Sequence, residues 1–328
     1  MYNVNVLRQF FVSTLISLIA LMCWQTVLAQ PITTRAVTVI VPFAAGGGAD
    51  GTIRLMQNSL IQKINQPVVI QNIPGANGTI GTHKIANSPG DALIFGVSTG
   101  STIGTGQLFS DDLSYNYAND FEYVAILGEV VRAVVVSSAS PYKNFSEFLI
   151  DARKANLNIG VPGNSPDLLS AIALRVDNKL QYQVVQYGTN QHAMILDLLA
   201  GRTSAVFNSL AAFSSCLQAK TCKPLALTTQ TRIPTYASIP TLQEMGYGSA
   251  ATVASYYGMI APKGTSLAML TKMNNAVNET LADVVINKQL LDFGIITTPH
   301  TLNESKQLHF DHVKNSLGKK KYLSAVNQ

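Results

Sequence analysis

The chain has 328 residues, a formal net charge of +5, 12% charged residues and 47% hydrophobic ones. That much apolar material supports a large buried core, and the length suits two lobes better than one. The only basic run is Lys319-Lys-Lys321, and no basic patch is interleaved with aromatics, which argues against nucleic-acid binding.

Residues 1–29 read as a signal peptide rather than as part of the fold. Arg8 is a lone positive charge, Phe10 to Trp24 is mostly apolar, and Val27-Leu-Ala29 supplies small residues at the cleavage positions. The apolar stretch is short for a membrane span, which needs about 20 residues. Met22 before Cys23 is a poor lipoprotein signal. The mature chain is expected to begin near Gln30, and loss of Arg8 takes the charge from +5 to about +4.

Val37 to Val41 is β-branched and ends at Pro42, so it is predicted to be a buried strand. Gly46-Gly-Gly48 follows and opens a helix over 50–64, in which Asp50 is placed to accept from free N–H groups. The design repeats: strand 68–71, turn Pro74 to Gly78, helix 79–86, then strand 93–97. Two such turns at the ends of neighbouring parallel strands make a donor-rich floor for a small anionic or carbonyl-bearing molecule. Strands are expected at 121–127 and 130–137 and a helix at 145–154.

A second set follows, with strands at 157–161, 183–186, 204–208 and 224–228 and helices at 168–178, 191–199 and 211–219. Ile159-Gly-Val-Pro-Gly-Asn-Ser165 repeats the strand and Gly-rich turn. The chain is expected to close with a strand at 253–260 and helices at 267–281, 284–293 and 303–317. This alternation implies mostly parallel sheets with helices on both faces. No long linker separates the two sets. Two strands are therefore expected to cross between lobes, near Leu127–Arg132 and Ser249–Ser255, allowing a hinge.

Cys216 and Cys222 are six residues apart at a helix end. In an exported chain they are expected to form a local disulfide, the alternative being two free structural thiols. No Cys/His spacing reads as a metal site. His309 and His312 lie three apart on a helix and are expected to face solvent. The glycines lack the Gly-x-Gly-x-x-Gly spacing and later acid of a dinucleotide site. No Ser sits in a Gly-x-Ser-x-Gly elbow, which argues against a hydrolase. No cofactor is expected.

Six blocks carry a family resemblance. They are Ile40-Val-Pro-Phe-Ala-Ala-Gly-Gly-Gly-Ala-Asp50, Gln66-Pro-Val-Val-Ile-Gln-Asn-Ile-Pro-Gly-Ala-Asn-Gly-Thr-Ile-Gly81, Asn119-Asp-Phe-Glu-Tyr-Val-Ala125, Asp197-Leu-Leu-Ala-Gly201, Ile239-Pro-Thr241 and Tyr257-Gly-Met-Ile-Ala-Pro-Lys-Gly-Thr265. In order, they resemble the Bug-type receptors of tripartite tricarboxylate transporters over nearly the whole mature chain. The resemblance implies an α/β chain with the type II periplasmic binding protein fold, two doubly wound lobes joined by crossover strands. Lobe I would comprise 30–130 and 252–328, and lobe II 131–251. It also implies a periplasmic, monomeric receptor that does no bond-making chemistry and passes its ligand to membrane transporter subunits. The alternative is a sensory module that presents the closed lobes to a sensor kinase ectodomain. A LysR-type effector domain shares the architecture but has no export signal.

Carried over by position, the first-lobe site is Phe43, Ala44, Gly46, Gly47 and Asp50 with Gly75, Ala76, Asn77 and Gly78, plus Ser98, Thr99 and Ser101. The second lobe adds Gly163, Asn164, Ser165, Asp167, Tyr187 and Asn208. Tyr256 stands where the family often has Trp. Three departures from the family pattern bear on the ligand. Gly163-Asn-Ser-Pro-Asp-Leu-Leu169 puts an acid where relatives have a hydroxyl. Tyr187-Gly-Thr removes a lysine, and Phe207-Asn-Ser removes an acid. Asp167 is either a helix-terminal acid stabilised by the dipole and partly exposed or, if it faces the cleft, an acid without a nearby cation. A ligand with one carboxylate or carbonyl and an amine, amide or neutral ring then fits better than citrate or malate.

Overall fold

The computed structural model describes residues 35–109, 113–154, 157–229, 232–248 and 255–326. The signal-peptide segment 1–29, the start near Gln30, and 249–254 of the second expected crossing lie outside the described residues. Two mixed sheets organise the rest. The first has strand order β11-β4-β10-β3-β1-β2 and the second β7-β6-β8-β5-β9.

In the first sheet β1 (Val37–Val41), β2 (Val68–Asn72) and β3 (Ile94–Thr99) are parallel. Helices α1 (Gly48–Ile64) and α2 (Thr79–Ala86) make the crossovers that parallel strands need. Val37, Val39 and Val41 pack with Ile53, Met56 and Leu60 of α1 on one face. Ile40 points to the other face and meets Ile85 of α2. Both faces are covered, in keeping with four apolar residues among the five of β1, Thr38 being the exception.

β3 ends in a wide turn at Gly100–Gly104 and the short helix α3 (Gly106–Phe109). β4 (Phe121–Val130) then joins the first sheet, next to its edge strand, and β5 (Arg132–Ser137) belongs to the second. The first crossing is therefore at Val131, inside the expected window.

The second sheet repeats the plan. β6 (Leu157–Val161), β7 (Tyr182–Gln186) and β8 (Ala205–Ser209) are parallel, with α4 (Phe145–Ala152) before them and α5 (Pro166–Asp177) and α6 (Gln191–Leu199) between them. β9 (Cys222–Leu227) follows a short turn of helix at Leu210–Phe213 and α7 (Ser214–Gln218). β10 (Tyr256–Pro262) returns to the first sheet between β3 and β4, antiparallel to both. The remaining elements are α8 (Leu267–Ala282), α9 (Val284–Asp292), the short strand β11 (Ile295–Ile296) and α10 (Leu302–Leu317).

Four expectations need correction. The sheets are mixed rather than mostly parallel, because β5 and β10 enter antiparallel to their neighbours. The helix expected over 211–219 is a 3-10 turn followed by one α turn. His309 is fully buried rather than solvent-facing, and His312 stacks on Tyr256 with ring centroids 4.1 Å apart. The last turn, Lys320–Ala325, leaves the first sheet and packs on α5 of the second, where Tyr322 is buried and its hydroxyl donates to Asp177 Oδ2 at 2.9 Å.

Cys216 and Cys222 are joined in a disulfide, both buried against β5 and α6. Among the described residues no helix is long and apolar enough to cross a membrane, and no group of His, Cys, Asp and Glu is placed to hold a metal ion.

Candidate ligand site between the two sheets

The carboxyl ends of β1 and β3 face those of β6 and β8 across a cavity. Its first-lobe wall includes Phe43, Ala44, Gly46, Gly47, Asn77, Thr99 and Ser101. Its second-lobe wall includes Gly163, Ser165, Asp167 and Asn208. These eleven residues come together from segments up to 165 positions apart.

The turn after β1 is held by Asp50, but not as a cap of its own helix. The carboxylate turns back and accepts the Gly46 N–H at 2.9 Å, Arg54 Nε at 2.8 Å and Asn72 Nδ2 at 2.9 Å. Asn72 also donates to the Phe43 carbonyl at 3.0 Å, so the ends of β1 and β2 are stitched together beneath the cavity. Burial pushes the Asp50 carboxyl up, but the bonds from Arg54, the Gly46 amide and Asn72 outweigh it and leave it below the usual value. Asp50 is 2% exposed and stands behind the cavity wall.

This arrangement occupies the Gly46 amide and leaves the helix start open. Gly47 precedes α1 and no side chain caps it among the described residues. Gly48 and Ala49, the first two helical residues, line the cavity. A 17-residue helix thus points uncapped N–H groups and the positive end of its dipole into the cavity. The facing helix differs: the Ser165 hydroxyl accepts the Leu168 N–H at 3.2 Å and donates to the Pro162 carbonyl at 2.9 Å. α5 is therefore capped, and the Ser165 hydroxyl is committed locally.

Asp167 meets a cation that sequence reasoning missed. Arg132, the first residue of β5, donates from Nε to Asp167 Oδ1 at 2.8 Å and from Nη2 to Ser170 Oγ at 3.2 Å. Both partners are buried, with side chains 2% and 8% exposed. The expected absence of a nearby cation is thus corrected: the charge removed with the family lysine at Gly188 is supplied from the start of β5 instead. Burial pushes the Asp167 carboxyl up, and the Arg132 guanidinium opposes that push. Arg132 was legible only as an unexplained charge inside the apolar run from Val130 to Ser137.

Several expected residues stand away from the cavity wall. Gly75, Ala76 and Gly78 shape the turn that presents Asn77; Ala76 and Asn77 have φ of 45° and 54°, and Gly78 has φ of 92°. Ser98 is fully buried and its hydroxyl lies 3.1 Å from His309 Nε2. The Tyr187 hydroxyl donates to Asp197 Oδ2 at 2.6 Å. The Asn164 carbonyl accepts from Thr105 Oγ1 at 3.4 Å, a bond between the lobes. Tyr256 is buried against His309 and His312, whereas its neighbour Tyr257 lines the cavity.

The lobes meet closely around the cavity. A Cβ added at Gly48 would sit 3.2 Å from Ala211 Cβ and 3.3 Å from Ser209 Oγ across the cavity. One added at Gly163 would sit 3.1 Å from Asn77 Oδ1. Gln191 and His192, at the start of α6, also line the cavity, and neither carried a sequence signal beyond its place at a predicted helix start.

Two α/β lobes, a sheet-to-sheet crossing at Val131 and a cavity at the strand ends define a solute receptor of the periplasmic binding protein class. The profile of the tripartite tricarboxylate transporter family receptors matches residues 52–323, and the chain belongs to that family. Among its relatives, a UPF0065 protein from the tcbD-tcbE intergenic region of Pseudomonas sp. strain P51 is 28% identical, with 80% of this chain and 79% of the relative covered. Protein BugT of Bordetella pertussis is 24% identical, with 81% and 83% covered. Among solved structures, R. palustris Rpa4515 with adipate superposes with a TM-score of 0.83 at 26% identity, covering 90% of this chain and 98% of that one. MatC of Rhodopseudomonas palustris with bound malate gives 0.77 at 26% identity, covering 89% and 100%.

Proposed function

We propose that the chain is exported to the periplasm and works there as a monomer that binds a small organic acid, amino acid or carboxylate amide. It then presents the closed form to membrane transporter subunits. Binding involves no bond-making chemistry. In this reading lobe I comprises 30–130 and 252–328, apart from the tail that packs on α5, and lobe II comprises 131–251.

The observation that carries the reading is the uncapped start of α1 opening into the cavity. Helix N–H groups left without acceptors in a water-poor site favour a carboxylate, which supplies acceptors and opposes the dipole. The relatives solved with adipate and malate support a carboxylate-bearing ligand. Phe43, Ala44, Gly47 and Asn77 form the rim of that pole, and Thr99 and Ser101 add polar atoms beside it.

Native mass spectrometry of the freshly exported protein, followed by calorimetry with short monocarboxylates and dicarboxylates in a carboxylate-free buffer, tests the proposal. Binding of at least one class with loss of affinity in Gly48→Ala is expected. Absence of binding by every carboxylate sinks it.

A further inference from the structure

The second-lobe pole of the cavity contains a buried donor with nothing to bind. Asn208 is 4% exposed and lines the cavity. Its Oδ1 accepts the Ser209 N–H at 2.7 Å, which fixes which way the amide points. Its Nδ2 then has no hydrogen-bond partner among the described residues. A buried, unpaired N–H is costly in a folded protein, and a ligand acceptor removes the cost.

The same pole carries an acceptor of defined character. Asp167 lines the cavity and its charge is balanced by Arg132 at 2.8 Å, with Ser170 accepting from the same guanidinium. The pair is neutral overall, while a carboxylate still presents acceptor lone pairs. One donor and one acceptor therefore face the ligand, with no net charge to attract a second anion.

We propose that this pole reads a primary carboxamide: the ligand carbonyl accepts from Asn208 Nδ2, and its NH2 donates to the Asp167 carboxylate. Asn208 and Asp167 are then the residues that set specificity. A second carboxylate has acceptors only. One oxygen would satisfy Asn208, but the other would lie against Asp167, and its buried charge would go uncompensated. This inference rests on the proposed carboxylate pole at α1, which holds the opposite end of the same ligand.

The test uses matched pairs of equal chain length: succinamate against succinate, glutaramate against glutarate and adipamate against adipate. The corresponding ω-amino acids form a third arm. Calorimetry on the full mature chain is expected to show one monoamide binding about tenfold or more tighter than its diacid, the scale of one unsatisfied buried polar group. Asn208→Asp keeps the acceptor for the Ser209 N–H and replaces the unpaired donor with an acceptor. It should cost the monoamide about tenfold or more. The ranking within the wild type stands whether or not that variant folds.

A diacid that binds as tightly as its monoamide overturns the inference while leaving the carboxylate pole intact. An ω-amino acid that outranks the monoamide does the same and makes Asp167 a cation reader. If no acid in any arm binds, the carboxylate pole itself falls and this inference falls with it.

Discussion

Arg132 Nε lies 2.8 Å from Asp167 Oδ1, so the first residue of β5 is bonded to the first turn of the helix that faces the ligand cavity. The two charges are buried together, and removing one strands the other. Asp167→Ala is expected to destabilise the protein by about 3–5 kcal/mol, the usual cost of breaking a buried pair. The double change Arg132→Met with Asp167→Leu should recover most of that loss. Urea unfolding of the three proteins checks this; an Asp167→Ala variant as stable as wild type would show that the pair does not act as one unit.

Gly48 sets how closely the lobes meet. A methyl group there would have Ala211 Cβ at 3.2 Å and Ser209 Oγ at 3.3 Å, both of the second lobe, in its way, besides the Tyr257 hydroxyl of its own lobe at 2.5 Å. Gly48→Ala should fold normally, since alanine suits a helix start inside α1, but it should hold the cleft ajar. Affinity is expected to fall about tenfold or more, with a larger radius of gyration in the presence of ligand by small-angle scattering. Unchanged scattering and affinity together would show that the lobes do not close on this contact.

Two buried histidines give the stability a direction with pH. Burial holds His309 down to about 3 and His312 down to about 4, against an ordinary value of 6.5. The unfolded chain therefore binds more protons than the folded one below about 6.5. Stability is complete above that pH and declines as pH falls toward about 3. Asp50, held below its ordinary value of 3.8, adds a further loss at the acid end. Melting temperatures across this range should fall less steeply in His309→Gln than in wild type; parallel curves would remove His309 from the account.

The disulfide closes a short loop. On the chain-entropy relation its loss costs about 2.4 kcal/mol. Cys216→Ser with Cys222→Ser should melt lower but bind ligand as wild type does, because neither residue lines the cavity. Calorimetry and thermal melts of the same sample separate the two effects.

Tyr322 fastens the chain's last turn to α5. Its ring is 3% exposed in the second-lobe core, and its hydroxyl bonds Asp177. Tyr322→Ala should cost about 3 kcal/mol, as other large aromatic truncations do. If removal of residues 319–328 leaves the urea midpoint unchanged, the tail contributes nothing to the second lobe.

Much of this architecture was legible before any coordinates. β1 is announced by its β-branched run, and the Gly-rich turns after β1 and β6 mark strands that end at the cavity. What stayed hidden depends on long-range partners. No local pattern places Arg132 against Asp167, 35 positions away, or turns Ser98 toward His309, 211 positions away. His309 looked solvent-facing because its helix carries many polar residues. Its burial comes from Gly258, where even a Cβ would lie 2.3 Å from the imidazole. The wall positions of Gln191 and His192 depend on how the lobes face each other, which hydrophobic periodicity does not encode.

The proposed receptor has one more link between its sheets than the two expected crossings. After α10 has packed along β4, Lys320–Ala325 returns to the second lobe and docks on α5. Two strands side by side behave like the leaves of a door hinge. A third tether away from them behaves like a check strap, which stops the swing at a set angle unless its anchor lets go. The reach of the opened receptor is then set by how firmly six residues at the end of the chain hold, and a bulky fusion placed there would change the swing without touching the cleft.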